Sequence, residues 1–396
     1  MTRPAVTEPT VATAAEGLDS LPGVRTLRSP VFRTMLAGTL LLVGAIVMAA
    51  SLTRQAAADD GQFAIDFGDY HRAALRMADG ATPYAPEMLL GPIDSQGLDR
   101  YRYPPPFAQL LGPLAGLGLE RAASLWLLIQ ATAVLAAMWA GTGIGGARRS
   151  PERLLWCGVA AVFYLPFFDT LWKGNVSGVL ALSCVAVALG GVHAGLGATF
   201  GTLLKAVPAT MLPAALVADS RSRWTVVLGI SMVAAVSFTM APGAWFDYAV
   251  VMRNLVTGSS DHLTNLAPGA VVGGLASELA GDIVRLGSLV IAVVSLGGST
   301  LLARDREGLP AAALLGTIAL LLIPGSLWYH YLVILLPFAA MAWPRAPAGT
   351  RGALLASGAL ISVSLVWLPL ALAGATLMAA LSLVVLWPRP AARSSL

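Results

Sequence analysis

Charged side chains are scarce in this sequence. Only 12% of the 396 residues are Asp, Glu, Lys or Arg, whereas 57% are hydrophobic. Soluble domains carry about 25% charged residues, so the composition excludes an ordinary soluble protein and predicts a polytopic membrane protein. The net charge of +4 comes from basic residues scattered over short segments between apolar runs. Membrane topology requires such scattering, and without a basic patch we expect no nucleic acid partner.

Cysteine and histidine are also rare, with two and four residues respectively. The two cysteines, Cys157 and Cys184, both lie in apolar runs, and two thiols are too few for a disulfide framework or a zinc site. His71, His193 and His262 have no metal-ligand spacing, so no metal site is predicted. The sequence also lacks a glycine loop that would bind a nucleotide. We therefore expect neither a nucleotide-sugar donor nor an ATP-driven reaction, and no cofactor.

Long uncharged runs take the place of the missing charge. The first contains the twenty residues 34–53, enough to cross about 30 Å of hydrocarbon. Arg25, Arg28 and Arg33 precede it, which favours a cytoplasmic N-terminus. A cleaved signal peptide is the alternative, but its apolar core is only about 7–15 residues long, so an uncleaved span is favoured. Residues 1–30, which have no periodicity, are predicted to be a disordered cytoplasmic tail.

Twelve further apolar segments follow between residues 106 and 387. Several are shorter than the roughly 17 residues of a simple span, and Lys205 and Pro208 interrupt one region as in a broken hairpin. We predict an all-α membrane bundle of about 10–12 transmembrane helices. Arginine-bearing turns should be cytoplasmic; they lie near 148–153, 221–223, 304–306, 345–351 and 389–393. One conflict arises, because spans at both 106–118 and 121–141 would put the first of these turns outside.

Two polar loops should then face the outside, over 54–103 and 242–283. The first holds eight of the 21 acidic residues. Within it, residues 66–79 have the periodicity of a short helix that carries Asp66, Asp69 and Tyr70 on one face. Gly80 and Pro83 should end this helix. The prolines at 104–106 predict an extended segment that opens a new helix.

The motifs of this chain resemble those of family 87 of the C-type glycosyltransferases. In order they are Asp66-x-x-x-Tyr70, Gly80-x-x-Pro83-Tyr84, Tyr103-Pro104-Pro105, Gly174-Asn175, Lys205-x-x-Pro208, Asn265 and Pro324-x-Ser326-x-Trp328-x-His330. They cover roughly residues 30–345, and the family more often has Gln where this chain has Asn175. The resemblance implies a single transmembrane catalytic domain, residues 31–388, with outer-loop helices over a groove for a lipid donor. Residues 389–396 would form a second cytoplasmic tail.

The resemblance also implies a reaction. Similar members use a polyprenyl-phosphate sugar, usually mannose, and build mannosides of actinobacterial envelope lipids; others transfer arabinofuranose. An inverting transfer needs a carboxylate that takes the proton of the acceptor hydroxyl, and the family's base maps onto Asp66. Asp69, on the same helix face, is the rival candidate. A solvated loop carboxylate or a helix-terminal charge is the alternative for each.

Other side chains are candidates for binding the donor. Lys205, at the broken hairpin, could contact the phosphate as a point charge or extend to the membrane interface. His330 could relay a proton or contact the phosphate, or be an interfacial residue. Arg102 is a further phosphate or sugar contact. Tyr70 and Tyr103, like Tyr84, could present ring faces to a sugar or form an interfacial aromatic belt; Asn265 completes the set of donor-site candidates.

Three functional hypotheses remain from the sequence. The first is a plasma-membrane mannosyltransferase that uses a polyprenyl-phosphate-mannose donor and a glycolipid or lipoglycan acceptor, such as a phosphatidylinositol mannoside, on the periplasmic side. The second is arabinofuranosyl transfer from a decaprenyl-phosphate donor. The third is a transporter or lipid flippase, although no internal repeat of the kind common in transporters is visible.

Overall fold

The computed structural model describes residues 29–58, 63–93, 99–257, 265–364 and 367–389. It is 82% helical and has no strand in these ranges, which confirms the predicted all-α class. The α-helices are α1 (Pro30–Ala57), α2 (Ile65–Ala78), α3 (Pro86–Leu90), α4 (Pro105–Leu110), α5 (Gly112–Ala115), α6 (Leu119–Ile144), α7 (Pro151–Val162), α8 (Leu165–Lys173), α9 (Ser177–Leu189), α10 (Gly191–Leu204), α11 (Leu212–Ala218), α12 (Ser220–Met240), α13 (Pro242–Thr257), α14 (Pro268–Leu275), α15 (Glu278–Leu302), α16 (Leu309–Leu322), α17 (Leu336–Ala342), α18 (Ala348–Val363) and α19 (Leu368–Leu386). Short 3-10 helices cover Val207–Met211, Arg306–Gly308 and Tyr329–Leu335. The predicted tails, 1–30 and 389–396, lie almost wholly outside the described residues.

Within the described ranges five helices are long and apolar enough to cross a membrane, namely α1, α6, α12, α15 and α19. The pair α7 and α8, bent by 71°, is a sixth candidate, and four more apolar helical stretches are shorter. The predicted count of ten to twelve spans therefore exceeds the number of helices that are long enough individually. Prolines account for part of the difference, because they divide apolar runs into short helices. Pro208 and Pro213, for instance, lie in the first turns of two consecutive short elements.

The conflict over the arginine turn at 148–153 is resolved by α4 and α5. These helices have six and four residues, so the apolar segment 106–118 does not form a span and α6 alone connects the first loop to this turn. Arg33 Nε donates to Glu152 Oε1 at 2.8 Å. The starts of α1 and α7 therefore lie at the same end of the bundle. The two helices run in parallel, with Gly158 against Leu41 farther along.

Other arginine-bearing turns gather at this same end, which we call the arginine end. Arg345 Nη2 donates to the Ile144 carbonyl at 2.9 Å, which joins the ends of α6 and α17. Asp219, before α12, accepts a hydrogen bond from Gly191 N–H at 2.8 Å at the start of α10. The opposite end, which we call the loop end, carries α2 to α5 and α13. There Asn254 of α13 donates to the Met88 carbonyl of α3 at 2.8 Å. This bond connects the second outer loop to the first.

Candidate active site

Helix α2 places Asp66 at the loop end of the bundle. The helix begins after Ala64, whose backbone is left-handed (φ 52°), and the Ala64 N–H donates to the Trp172 carbonyl at 2.7 Å. The start of α2 is thereby fixed to the end of α8. Asp66 lies in the first turn, where free backbone N–H groups favour an anionic side chain. The helix predicted over 66–79 is confirmed, and Gly80, with φ +76°, follows its end.

Asn175 holds the Asp66 carboxylate. Its Nδ2 donates to Asp66 Oδ2 at 2.7 Å, while its Oδ1 accepts from the backbone N–H and the hydroxyl of Ser177 at 3.0 and 2.6 Å. These two bonds fix the amide with its NH₂ group toward the carboxylate. In the sequence, Asn175 stands out only as part of the Gly174-Asn175 motif, which assigns it no role. The sequence did contain a signal for such a role. A polar residue directly after an apolar helix can place a buried amide next to a polar group of a neighbouring element.

Tyr70 and Tyr103 form a hydrogen-bonded pair beside this carboxylate. Their hydroxyls are 2.8 Å apart, and Asn175 Nδ2 lies 3.5 Å from the Tyr70 oxygen. Burial raises the pKa of both phenols well above the ordinary value, and the nearby Asp66 charge raises it further. Both therefore stay protonated and can donate. Their rings are buried against each other and against Phe107, so neither the sugar-stacking platform nor the interfacial belt describes them.

Tyr84, the third tyrosine of the motifs, contacts the backbone of this pair. Its hydroxyl donates to the Tyr103 carbonyl at 2.9 Å, and its ring is fully buried against Tyr248 of α13. Tyr84 therefore fixes the backbone that carries Tyr103 and is not exposed to a substrate.

Lys205 joins the same cluster from another helix. It directly follows α10 with an extended backbone, at the break that the sequence predicted. Its ammonium contacts the Tyr331 hydroxyl and lies 5.2 Å from the centre of the Tyr103 ring. The side chain is half-buried. The structure thus brings a cation to the aromatic pair that borders Asp66, as the phosphate hypothesis for Lys205 requires.

His330 is buried within the bundle near Tyr331. Its ring centre is 4.7 Å from that of Tyr331, and its Nδ1 lies 3.4 Å from Asp169 Oδ2 of α8. Its Nε2 is buried and has no hydrogen-bond partner among the described residues. The sequence gives no sign of the Asp169 contact, since the two residues are far apart in the chain. The Lys173 ammonium, one turn after Asp169, lies over the Trp172 ring at 4.1 Å.

Asp69 has a different environment from Asp66. Its Oδ1 bonds Arg72 Nη2 at 2.5 Å and accepts the Asp99 N–H at 3.0 Å. Burial raises the pKa of Asp69, although backbone bonding and the Arg72 guanidinium act in the opposite direction. Arg76 bonds the Asp99 carboxylate at 2.6 Å and extends the network. Asp69 therefore fastens the 99–100 segment to α2.

The last two candidates, Asn265 and Arg102, have different environments. The Asn265 amide donates to the Gly325 carbonyl at 3.0 Å and accepts the N–H groups of Ala267 and Leu327 at 2.9 Å. It fixes the chain that leads to His330, and no donor contact is needed to explain it. Arg102 precedes Tyr103 and is half-buried, and its Nε is without a hydrogen-bond partner in the part of the chain that the structure describes.

Around Asp66 the structure therefore brings together an amide, two phenols and an ammonium, with Arg102 next in the chain to Tyr103. His330 connects to the cluster through Tyr331. Across the described residues no group of three or more histidine, cysteine or acidic side chains could hold a metal ion; His262 lies outside those residues. The arrangement can accept a proton at Asp66 and bind an anion near Lys205.

The bundle carries a carboxylate and a cation near the same pair of tyrosines at one end, and its fold is that of an all-α polytopic membrane protein. A family model described as Glycosyltransferase family 87 matches residues 101–324, more than half of the chain. The protein belongs to glycosyltransferase family 87, so the enzyme hypothesis is confirmed over the transporter. No curated protein and no solved structure matches the chain. The matched range begins after Asp66 and ends before His330, so the roles of these two residues depend on the geometry.

Proposed function

We propose that this glycosyltransferase moves mannose from a polyprenyl-phosphate-mannose donor to a hydroxyl of a lipid-linked glycan, such as a phosphatidylinositol mannoside. The observation that carries the proposal is the fixed contact between Asn175 Nδ2 and Asp66 Oδ2 at 2.7 Å. It leaves the other carboxylate oxygen, Oδ1, for an acceptor hydroxyl. Asp69 is less suited to this role, because its carboxylate forms an ion pair with Arg72 and holds the 99–100 segment on α2.

The proposed reaction is a single displacement at the anomeric carbon. The acceptor oxygen attacks this carbon while its proton passes to Asp66, and the bond between the anomeric carbon and the phosphate oxygen breaks. The electron pair of that bond leaves with the polyprenyl phosphate. Because the acceptor enters opposite the leaving group, the configuration inverts. A positioned carboxylate base typically contributes about 10²–10⁴-fold to such a step.

The departing phosphate needs donors and positive charge. Lys205 supplies an ammonium beside Tyr103, and Arg102 supplies a guanidinium with an unpartnered Nε. His330 is the third candidate through its unpartnered Nε2. The protonated phenol of Tyr103 lies beside Lys205, so a phosphate oxygen placed there would meet hydrogen-bond donors.

The side of the membrane follows from the arginine end. Turns that carry Arg149, Arg153, Arg221 and Arg345 lie at that end, together with Arg33 before the first span. Basic residues concentrate in cytoplasmic loops, so the loop end with Asp66 faces the periplasm in this proposal. A lipid-phosphate sugar donor suits such a location, because nucleotide sugars are restricted to the cytoplasm.

The test is a transfer assay with purified protein and radiolabelled polyprenyl-phosphate mannose, with an inositol-mannoside lipid as acceptor. A labelled acceptor of higher mass is expected, and it should be sensitive to an α-mannosidase, which does not cleave β-linked products. The same assay with decaprenyl-phosphate arabinose tests the alternative donor. Transfer of arabinose without transfer of mannose would overturn the donor assignment and leave the enzyme class intact.

A further inference from the structure

A cleft of about 500 Å³ lies at the loop end beside α2. Its walls come from the C-terminal half of α2, the helices α4 and α5, and the junction of α12 and α13. Its lining residues are all different from those that surround Asp66. The proposed chemistry does not use this cleft, and its position next to the helix that carries the base suggests a role in binding.

Glycines keep the cleft open. Gly80, Gly112 and Gly243 line it, and a methyl group added at any of these glycines would meet no atom within 4 Å. Met240 and Phe246, at the junction of α12 and α13, are each 68% exposed. The cleft therefore adjoins an apolar surface at the end of a membrane-length helix, where the anchor of a membrane lipid would lie.

Polar groups line part of the cleft. They come from Asp247, Gln109 and Thr82. The Thr82 Oγ1 is buried beneath the surface, and the Gln109 amide donates to the Ser237 carbonyl at 3.3 Å. The half-buried Asp247 carboxylate is therefore the group that a ligand in the cleft can reach. A carboxylate accepts hydrogen bonds from hydroxyl groups, so it is suited to a polyhydroxylated ligand, whereas a hydrocarbon chain would leave it unsatisfied.

The distance to the base limits which part of a ligand can occupy the cleft. Asp66 and Met77 lie on the same face of α2, eleven residues apart, which is about 16 Å along a helix. Met77 lines the cleft, while Tyr70, between the two, is buried. A single sugar ring cannot contact both places, but an oligosaccharide can extend from one to the other.

We infer that this cleft binds the part of an oligosaccharide acceptor that lies several sugar units away from the reacting hydroxyl. The inference deepens the proposed function and depends on it. It predicts that the enzyme selects acceptors by length: a long glycan gains contacts with Asp247 and the surrounding cleft, and a single-sugar acceptor does not.

The experiment compares octyl α-mannoside with octyl tetramannoside as acceptors for labelled polyprenyl-phosphate mannose. Gly112→Leu and Gly243→Leu place a bulky side chain in the cleft at sites where an added Cβ meets no atom within 4 Å, and Gly349→Leu, at an equally open site at the arginine end, is the matched control. In each cleft variant the KM for the tetramannoside should rise about tenfold, equivalent to 1.4 kcal/mol. The KM for the monomannoside and for the donor should not change. Asp247→Asn should shift the tetramannoside KM in the same direction.

Binding without turnover gives a second readout. Titration of the free tetramannoside into the wild type and into Gly243→Leu by calorimetry should show weaker binding to the variant. Unchanged tetramannoside KM and binding in both leucine variants would refute the inference, as would a change in donor KM alone, which would mean that the cleft holds the polyprenyl chain. If the wild type transfers mannose to neither acceptor, the proposed function fails first.

Discussion

Asp66 and Asp69 are one helical turn apart, but their neighbours assign them different tasks. Asp66 has one neutral amide donor at 2.7 Å, and Asp69 is bonded to a guanidinium and a backbone N–H. The ion pair with Arg72 and the Asp99 N–H commit the Asp69 carboxylate to holding the 99–100 segment on α2. The base therefore needs the first environment, and the second is suited to holding a loop in place.

This difference gives the first prediction. Asp66→Asn keeps the shape of the side chain but cannot take a proton, so transfer should fall by at least about a hundredfold, while donor binding remains. Asp69→Asn should lose much less activity and should instead lower the thermal unfolding midpoint. Turnover and donor binding are measured separately at matched expression. Near-normal turnover by Asp66→Asn would remove this residue as the base, and collapse in Asp69→Asn alone would transfer the role.

The Asn175 amide gives a second prediction at this scale. Asn175→Leu removes the group that orients Asp66 and leaves the Ser177 hydroxyl without its acceptor, so activity should fall about tenfold or more. Asn175→Gln keeps an amide and should retain most of the activity, as expected from a family that more often has Gln here. The measurement is kcat at saturating donor. Equal activity of the Leu and Gln variants would show that the amide does not orient the base.

His330 and Asp169 give a third. If Asp169 holds the His330 ring through Nδ1, the free Nε2 points away from the carboxylate and can meet the phosphate or a proton. Asp169→Asn and His330→Ala should then weaken donor use by similar factors, and the double variant should be no worse than either, because the two residues act as a unit. Additive losses of donor use in the double variant would show that the two residues act independently. A ¹⁵N spectrum of the histidine ring, with the tautomer altered in Asp169→Asn, provides a readout that a packing role alone would not change.

At the level of helices, the joint between α8 and α9 controls the site. Gly174 has φ +64°, and a Cβ there would lie 2.7 Å from the Phe67 Cβ. Phe67 is next to Asp66 in α2, so any displacement moves the base. The Gly174 carbonyl also accepts the Trp126 Nε1 proton at 2.8 Å, which fixes the joint to α6. Only glycine combines the left-handed backbone with the close approach to Phe67 without strain.

Gly174→Ala is therefore predicted to reduce both stability and activity. A left-handed backbone costs a non-glycine residue about 1–2 kcal/mol, and the contact with Phe67 adds to this. Gly146→Ala is the matched control, because Gly146 has φ +86° but open space around it. The unfolding midpoint in detergent should fall in both, and transfer activity only in Gly174→Ala. Full activity of Gly174→Ala would show that Phe67 yields without moving Asp66.

The elements also show how far the sequence could predict the site. Helix α2, its end at Gly80 and the break at Lys205 follow from local patterns of periodicity, glycine and proline, and each is where the sequence placed it. The contacts of Asp66 with Asn175 and of His330 with Asp169 join residues more than 100 positions apart. No local pattern encodes such pairs. The burial of Tyr70 and Tyr103 was also unpredictable, because aromatic residues suit an interface and a core equally.

The number of spans was less predictable than the fold class. Apolar composition identifies membrane helices by length, but a segment such as 106–118 is apolar because it packs at the loop end inside the protein. Phe107 and Ala108 are fully or nearly fully buried there, and prolines break the segment into α4 and α5. Hydropathy alone does not distinguish a short buried helix from a span.

For the whole molecule, the basic turns between the spans define an orientation. Arginines cluster at one end, where Arg33 meets Glu152 and Arg345 meets the end of α6. The acidic residues Asp66, Asp69 and Asp99 lie at the other end. The positive-inside rule acts on short loops near the ends of spans, and the arginine turns are of that kind. The distribution therefore predicts cytoplasmic access at the arginine end and periplasmic access at the loop end.

Single cysteines can test this orientation. In a background in which the buried Cys157 and Cys184 are replaced by alanine, Leu90→Cys, at a site 85% exposed at the loop end, should react with a membrane-impermeant maleimide in intact spheroplasts. Gly349→Cys, at an exposed site at the arginine end, should react only after lysis. Both variants must still insert and transfer sugar. The opposite labelling pattern would place Asp66 on the cytoplasmic side of the membrane. That result would contradict the proposal that the sugar donor is used on the periplasmic side.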